Sequence, residues 1–206
     1  SNVRQIFGKA GWEGERTDLK LTTAYNDNSL IGNGLQTVDG LKQDYSSVYT
    51  TPDITDNRSL FLNLESSYQL NSKTVLAGNT YYRNIKTGTI NGDINSNAHI
   101  DDAAAFPSSD CINQPDSNSC NALLNRSRTQ QQNWGISGQA IVTDKLLGKE
   151  NEFLFGGGYD QSVADFLQTS QFGHLMSNRS VNAVSAFDDS SRVGLSGDTI
   201  TWSFFT

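Results

Sequence analysis

The sequence contains no long hydrophobic run. Its 206 residues are 35% hydrophobic, with a mean hydropathy of −0.49, and no stretch approaches the roughly 20 apolar residues of a membrane-spanning helix. The N-terminus also lacks the basic, apolar and small-residue succession of a signal peptide. Because Ser1-Asn2-Val3-Arg4 already resembles the interior of a strand, we predict a piece of a longer chain.

Side chains that carry chemistry are scarce as well. The two histidines, His99 and His174, lack the neighbours of a catalytic group or a zinc site. Residues 93–97 begin like a calcium loop, but Ala98 and Ala104 replace the glycine and glutamate that such a loop needs. The formal net charge is −7 and there is no stripe of Lys and Arg, which argues against nucleic acid. We predict no enzymatic activity, cofactor, metal site or nucleic-acid partner.

What the sequence does contain is alternation of apolar and polar residues, which predicts seven strands. They occupy residues 3–14, 17–28, 59–70, 74–85, 129–142, 152–163 and 191–206. A tilted strand needs about 9 to 11 residues to cross a bilayer, whereas ordinary strands have about five or six. Most of the predicted strands are therefore long enough to cross a membrane.

The links between the strands alternate in length. Short links fall at residues 15–16, 71–73 and 144–151, and long ones at about 29–58, 86–128 and 164–190. In a meander this places tight turns at one end and long loops at the other, as in outer-membrane barrels. The fold class predicted is all-β, an antiparallel up-and-down transmembrane β-barrel with long extracellular loops. An open sheet of seven strands leaves unpaired edges in lipid, so either an eighth strand lies within a loop or the remaining strands lie outside this chain. We favour the second, in which residues 1–206 are one segment, a partial barrel of about seven strands.

Each predicted strand has one apolar face and one polar face. Leu60, Leu62 and Leu64, for example, alternate with Phe61, Asn63 and Glu65. Aromatic residues near the strand ends on the apolar faces are expected to form a lipid-facing belt. The belt comprises Trp12, Tyr25, Tyr68, Tyr82, Trp134, Phe153 and Tyr159.

The last strand leaves two assignments open. Either Leu195, Gly197, Thr199 and Thr201 or Ile200, Trp202 and Phe204 could form its apolar face. Asp198 is expected to avoid lipid.

Three segments resemble the barrel of TonB-dependent outer-membrane receptors. They are TDLKLTTAY at residues 17–25, NEFLFGGGYD at 151–160 and GDTITWSFFT at 197–206. The resemblance implies location in the bacterial outer membrane and a barrel of about 22 strands around a plug. It also implies active uptake of a scarce ligand such as an iron-siderophore complex, cobalamin, haem or a sugar. Neither a plug nor the segment that binds TonB is recognisable in this chain.

The partners implied are membrane lipid, lipopolysaccharide, a small-molecule ligand such as a metal chelate, and TonB through an N-terminal region outside this chain. Candidate ligand contacts are lumen positions close to the long loops, namely Tyr81, Arg83, Asn26, Asn133 and Asp160. Tyr81 and Arg83 are the first candidates for ligand contact, because an aromatic face beside a guanidinium suits an anionic or catecholate chelate. The alternative is that Arg83 pairs with Glu65 or Asp160.

Cys111 and Cys120 are the only cysteines, nine positions apart in the longest predicted loop. In an exported protein they meet an oxidising compartment, which predicts a disulfide. Closing so small a ring restricts the loop by about 2 to 3 kcal/mol.

Iron-siderophore uptake is the first functional hypothesis, and two others remain open. One is a passive porin or a structural or adhesive barrel. The other is a soluble secreted β-sandwich that would keep its aromatic residues in a dry core.

Overall fold

The computed structural model describes residues 1–32, 34–97, 109–185 and 191–206. The strands are β1 Asn2–Glu13, β2 Thr17–Ile31, β3 Asp53–Asn71, β4 Thr74–Ile94, β5 Ala122–Leu146, β6 Lys149–Leu175, β7 Val181–Ala183 and β8 Val193–Phe205. The described residues include two short helices, α1 Val38–Gln43 and α2 Ser109–Asn113, and no helix among them is long and apolar enough to cross a membrane. The sequence positions Ala98, His99 and Ala104 fall outside the described residues.

All the strands belong to one antiparallel sheet. The order runs β1 to β6 along the chain, and β7 and β8 both pair with β6, β7 at its far end and β8 along its middle. Within the described residues the sheet has one open edge at β1 and another formed by β7 and β8, so it is a curled half-barrel. The predicted partial β-barrel is confirmed. The two-layered sandwich is wrong, because the described strands form a single layer.

The short turns join neighbouring strands tightly at one end of the sheet. Leu147 and Gly148 have φ values of 53° and 81°, and positive φ at both central residues is typical of the two-residue hairpin turn that matches strand twist. The link expected at 144–151 is therefore shorter than predicted, and Asp144 pairs with Asn151 inside the sheet. Lys73 Nζ lies 2.8 Å from Asp144 Oδ1 at this end.

The strands extend further toward the long loops than the sequence predicts. The connections span residues 32–52, 95–121 and 176–192 instead of 29–58, 86–128 and 164–190, and β7 lies within the last of them. In the extensions, for example 86–94 and 122–128, charged residues such as Lys86 and Arg128 share the otherwise apolar face with Ile90 and Leu124. Hydrophobic alternation is therefore interrupted there although backbone pairing continues.

The two faces of the sheet differ in chemistry and curvature. A recess of about 350 Å³ spans five strands on the polar face and is lined by Lys20, Glu65, Asn79, Gln139 and Phe205 among others. We call this the concave face. The opposite, convex face exposes Leu21, Leu62 and Ile136, which are 43%, 37% and 56% accessible. The buried apolar cluster lies instead at the long-loop end.

Candidate functional site

A hydrogen bond that skips one strand marks the centre of the concave face. Tyr81 of β4, Gly135 of β5 and Asp160 of β6 lie in one row of the sheet, and the Tyr81 hydroxyl donates to Asp160 Oδ1 at 2.7 Å. The two side chains meet above Gly135, where an added Cβ would lie 2.6 Å from Tyr81 Cε1. Gly135 therefore makes the contact possible, a role that alternation alone does not reveal.

Arg83 lies one row closer to the long loops than Tyr81. It is exposed and is flanked in register by Phe61 and Asn133. Among the described residues it forms no ion pair with Glu65 or Asp160. The concave face thus holds an unpaired guanidinium between an aromatic ring and an amide.

The two predicted asparagines occupy different parts of the face. Asn133 Nδ2 donates to Ser162 Oγ at 2.6 Å, next to Arg83. Asn26 Nδ2 donates to Ser59 Oγ at 3.0 Å, on β2 and β3. The structure therefore brings together Tyr81, Arg83, Asn133 and Asp160, which we call the Tyr81 patch, and leaves Asn26 two strands away.

A second recess, of about 270 Å³, lies above the Tyr81 patch on the concave face. Its lining is hydroxyl and amide with one carboxylate: Asp53, Thr55, Thr89, Asn91, Asn125, Ser127 and Gln168. Thr89 and Ser127 share a hydrogen bond of 2.6 Å between their hydroxyls. These residues lie in the strand extensions that were predicted as loop, so the sequence did not identify them as candidates.

All seven residues predicted for the aromatic belt lie on the convex face. Tyr159 lies between two tryptophans of neighbouring strands, with its ring centroid 5.2 Å from that of Trp134 in a tilted contact and 4.7 Å from that of Trp202 in an edge-to-face contact. Because Trp202 contacts Tyr159, it lies on the convex face, and Ile200 and Phe204 lie there with it. Of the two faces of β8 that the sequence left open, this is the convex one. Asp198 lies on the same face, where it pairs with Val163.

The three long connections and the adjoining ends of β4, β5 and β6 converge in a cap, formed by the described parts of residues 32–52, 90–124 and 172–185. Its buried apolar cluster is Ala122, Leu124, Leu175 and Val181. The predicted disulfide between Cys111 and Cys120 is confirmed, and both side chains are buried. Asn95 fastens this loop by donating through Nδ2 to the carbonyl of Cys120 at 2.7 Å.

Arg179 ties the first long connection to the last. Its Nε donates to the carbonyl of Tyr49 at 2.6 Å, and its guanidinium carbon lies 3.4 Å from the centroid of the Tyr49 ring. Backbone bonds from Thr51 to Arg179 and from Val181 to Thr51 extend the link. The described parts of these two loops are therefore held together by side-chain and backbone contacts.

His174 lies inside the cap near the end of β6. The side chain is 4% accessible, and its Nδ1 has no hydrogen-bond partner. Burial lowers the pKa of this imidazole, because the charged form loses solvation. In the part of the chain that the structure describes, no three His, Cys, Asp or Glu side chains converge as a metal site would require.

No protein family and no curated protein matches the chain. One similar solved structure is the ferric-catecholate import receptor Fiu of E. coli K12, in an open form. The similarity has a TM-score of 0.35 and 9% sequence identity over 97% of this chain. The chain spans 43% of the length of that receptor.

Proposed function

We propose that this chain is a segment of a TonB-dependent receptor in the bacterial outer membrane. In this proposal the convex face meets lipid, the concave face lines the lumen and the cap faces the outside. The exposed apolar side chains on the convex face of this single-layered sheet support the arrangement. Such a face needs either hydrocarbon or a second protein layer to cover it. The chain has no catalytic role in this proposal.

The ligand that the proposed receptor takes up is an anionic metal chelate, with iron-siderophore complexes as the first candidates. The main support for this ligand class is Arg83, whose charge has no ion partner among the described residues. A planar guanidinium also binds carboxylate or catecholate oxygens well. Tyr81, held by Asp160, and Phe61 offer aromatic surface on either side. TonB would act through a region outside this chain.

The test uses the full-length protein that contains this segment. We expect Arg83→Gln to weaken binding of a ferric catecholate about tenfold, the size of one charge-assisted hydrogen bond. Lys149→Gln, which removes an equal charge at the short-turn end, should leave affinity unchanged. Equal affinity of the Arg83 variant and the unsubstituted protein would contradict the proposed contact.

A receptor of this kind needs energy to take up its ligand, whereas a passive porin does not, and this difference distinguishes the two functions. In cells, collapse of the inner-membrane proton gradient should stop accumulation of the ferric catecholate, because the receptor draws energy through TonB. Accumulation that continues without the gradient would favour the porin. No described feature of the concave face favours the porin specifically.

A further inference from the structure

The second recess of the concave face, which we call the polar recess, differs in chemistry from the Tyr81 patch. Thr89 and Ser127 form one register pair within it, and Asn91 and Asn125 form the next. Thr89 lies six residues beyond Arg83 along β4, a distance of about 20 Å. Of the described residues that line the recess, none is cationic or aromatic. The polar recess is therefore a separate site from the guanidinium of Arg83.

Hydrogen bonds between side chains hold the wall of the polar recess in place. The hydroxyls of Thr89 and Ser127 lie 2.6 Å apart. In the next row, Ser170 Oγ donates to Asn125 Oδ1 at 2.6 Å, and Asn125 Nδ2 donates to Asn91 Oδ1 at 3.4 Å. These bonds do not use the Nδ2 donors of Asn91, and each hydroxyl oxygen has two lone pairs. A ligand therefore meets ordered groups that can both donate and accept.

The charge of the lining selects the class of ligand. Asp53 is 5% accessible and is the one charged side chain among the described residues that line the recess. Its carboxylate repels an anion, and an apolar ligand would leave the amides and hydroxyls without partners. Hydroxyl groups suit this lining, because each can donate and accept and a carboxylate can accept from two of them. A neutral ring with several hydroxyls fits these requirements.

An aromatic side chain borders the polar recess on the side of the Tyr81 patch. Phe166 lies two residues before Gln168 on β6, in register with Thr129. It has the same strand parity as Asp160, so it faces the concave side. A sugar ring has polar hydroxyls at its edge and an apolar face of C–H groups, which packs on an aromatic ring through dispersion. Phe166 therefore adds an apolar surface to a wall of hydrogen-bonding groups.

We propose that the polar recess binds a neutral sugar group carried by the chelate, an inference that rests on the proposed uptake of an anionic metal chelate. Thr89, Ser127 and Asn91 bond the sugar hydroxyls, and Asp53 accepts from them at the upper edge. The recess lies closer to the long loops than Arg83 does. A ligand that enters from the outside meets it first, so the recess selects glycosylated chelates before they reach the Tyr81 patch.

The experiment compares two ligands of the full-length protein in detergent, a ferric tris-catecholate and the same chelate with one glucose attached. The unsubstituted protein should bind the glucosylated chelate about tenfold more tightly, because several neutral hydrogen bonds are added. Thr89→Val/Ser127→Ala removes two hydroxyls with little change of shape. This variant should lose the preference for glucose and keep its affinity for the sugar-free chelate.

Two controls accompany this variant. Ser67→Ala/Thr143→Val removes the same two hydroxyls from the concave face at the short-turn end, and it should keep the preference. Glucuronate in place of glucose should abolish the preference in the unsubstituted protein, because a second carboxylate would meet that of Asp53. The comparison of glucose with glucuronate needs no variant, so it tests the recess even if a substitution disturbs folding.

Three results would overturn the assignment: equal binding of the two chelates by the unsubstituted protein, a preference that survives in the Thr89/Ser127 variant, or its loss in the Ser67/Thr143 control. Circular dichroism checks that the sheet of each variant is intact. If Arg83→Gln still weakens binding of the sugar-free chelate, these results reject only the recess. An Arg83 variant with unchanged affinity and an intact preference for glucose rejects only the contact proposed for Arg83.

Discussion

At the scale of single residues, Gly135 determines whether two predicted ligand contacts can meet. Tyr81 and Asp160 are separated by a whole strand, and only a residue without a side chain leaves room for their hydrogen bond above it. A Cβ at this position would collide with both partners. The Tyr81 patch is therefore shaped by a residue that contributes no functional group.

Replacement of Gly135 by alanine tests this role. We expect Gly135→Ala to destabilise the full-length protein by about 1 to 3 kcal/mol, as overpacking does, and to weaken ligand binding as much as Tyr81→Phe. Thermal unfolding and ligand titration measure the two effects. Gly197→Ala is the control, because an added Cβ there meets nothing within 4 Å. Unchanged stability and affinity in Gly135→Ala would contradict the proposed packing.

The sequence predicts which face a residue lies on better than which residues meet. Period-two alternation placed Tyr81, Arg83 and Asp160 on one face, and the structure agrees. Alternation contains no information on register, so the contact over Gly135 could not be derived from it. For the same reason the sequence could not decide which face of β8 is the apolar one. Only the contact of Trp202 with Tyr159 places Trp202 on the convex face.

At the scale of elements, the ends of the strands were the least predictable. β3 begins at Asp53 and β6 ends at Leu175, well beyond the predicted limits of 59 and 163. In these extensions charged residues such as Arg58, Lys86 and Arg128 interrupt the apolar face, so the sequence shows no continuous hydrophobic alternation although backbone pairing continues. The cap was also missed, because its contacts join residues far apart in the chain, such as Tyr49 and Arg179.

The cap should loosen in acid through His174. Its folded-state pKa lies below its usual value of about 6.5, so the neutral form stabilises the fold. This stability is fully present above about pH 6.5 and is lost as pH falls from there toward the lowered pKa. Asp44 and Asp116, whose pKa values are lowered by hydrogen bonds from Ser46 and Ser119, stay ionised in this window.

Hydrogen exchange measures this effect at the amides of Leu175 and Val181 in the cap. After correction for intrinsic exchange rates, their protection should fall several-fold between pH 7 and pH 5.5. In His174→Gln, which does not titrate, protection should vary little over this range. Equal pH dependence in the two proteins would show that His174 is not responsible.

At the scale of the whole molecule, the sheet has apolar residues outside and polar residues inside, the reverse of a soluble domain. Among the described residues, the buried apolar cluster is confined to the cap. Among the described residues nothing covers the convex face along the middle of the strands, so hydrophobic burial stabilises the cap more than the rest of the sheet. Backbone pairing between long strands holds the rest together, and a membrane would supply the missing apolar surroundings.

Spin labels placed one at a time along residues 60–65 of β3, in the full-length protein reconstituted in lipid vesicles, test this account most directly. The account predicts that labels at 60, 62 and 64 are reached by lipid-soluble oxygen, and labels at 61, 63 and 65 by a water-soluble nickel reagent. Loss of this alternation, or its reversal, would contradict the assignment of the convex face to hydrocarbon.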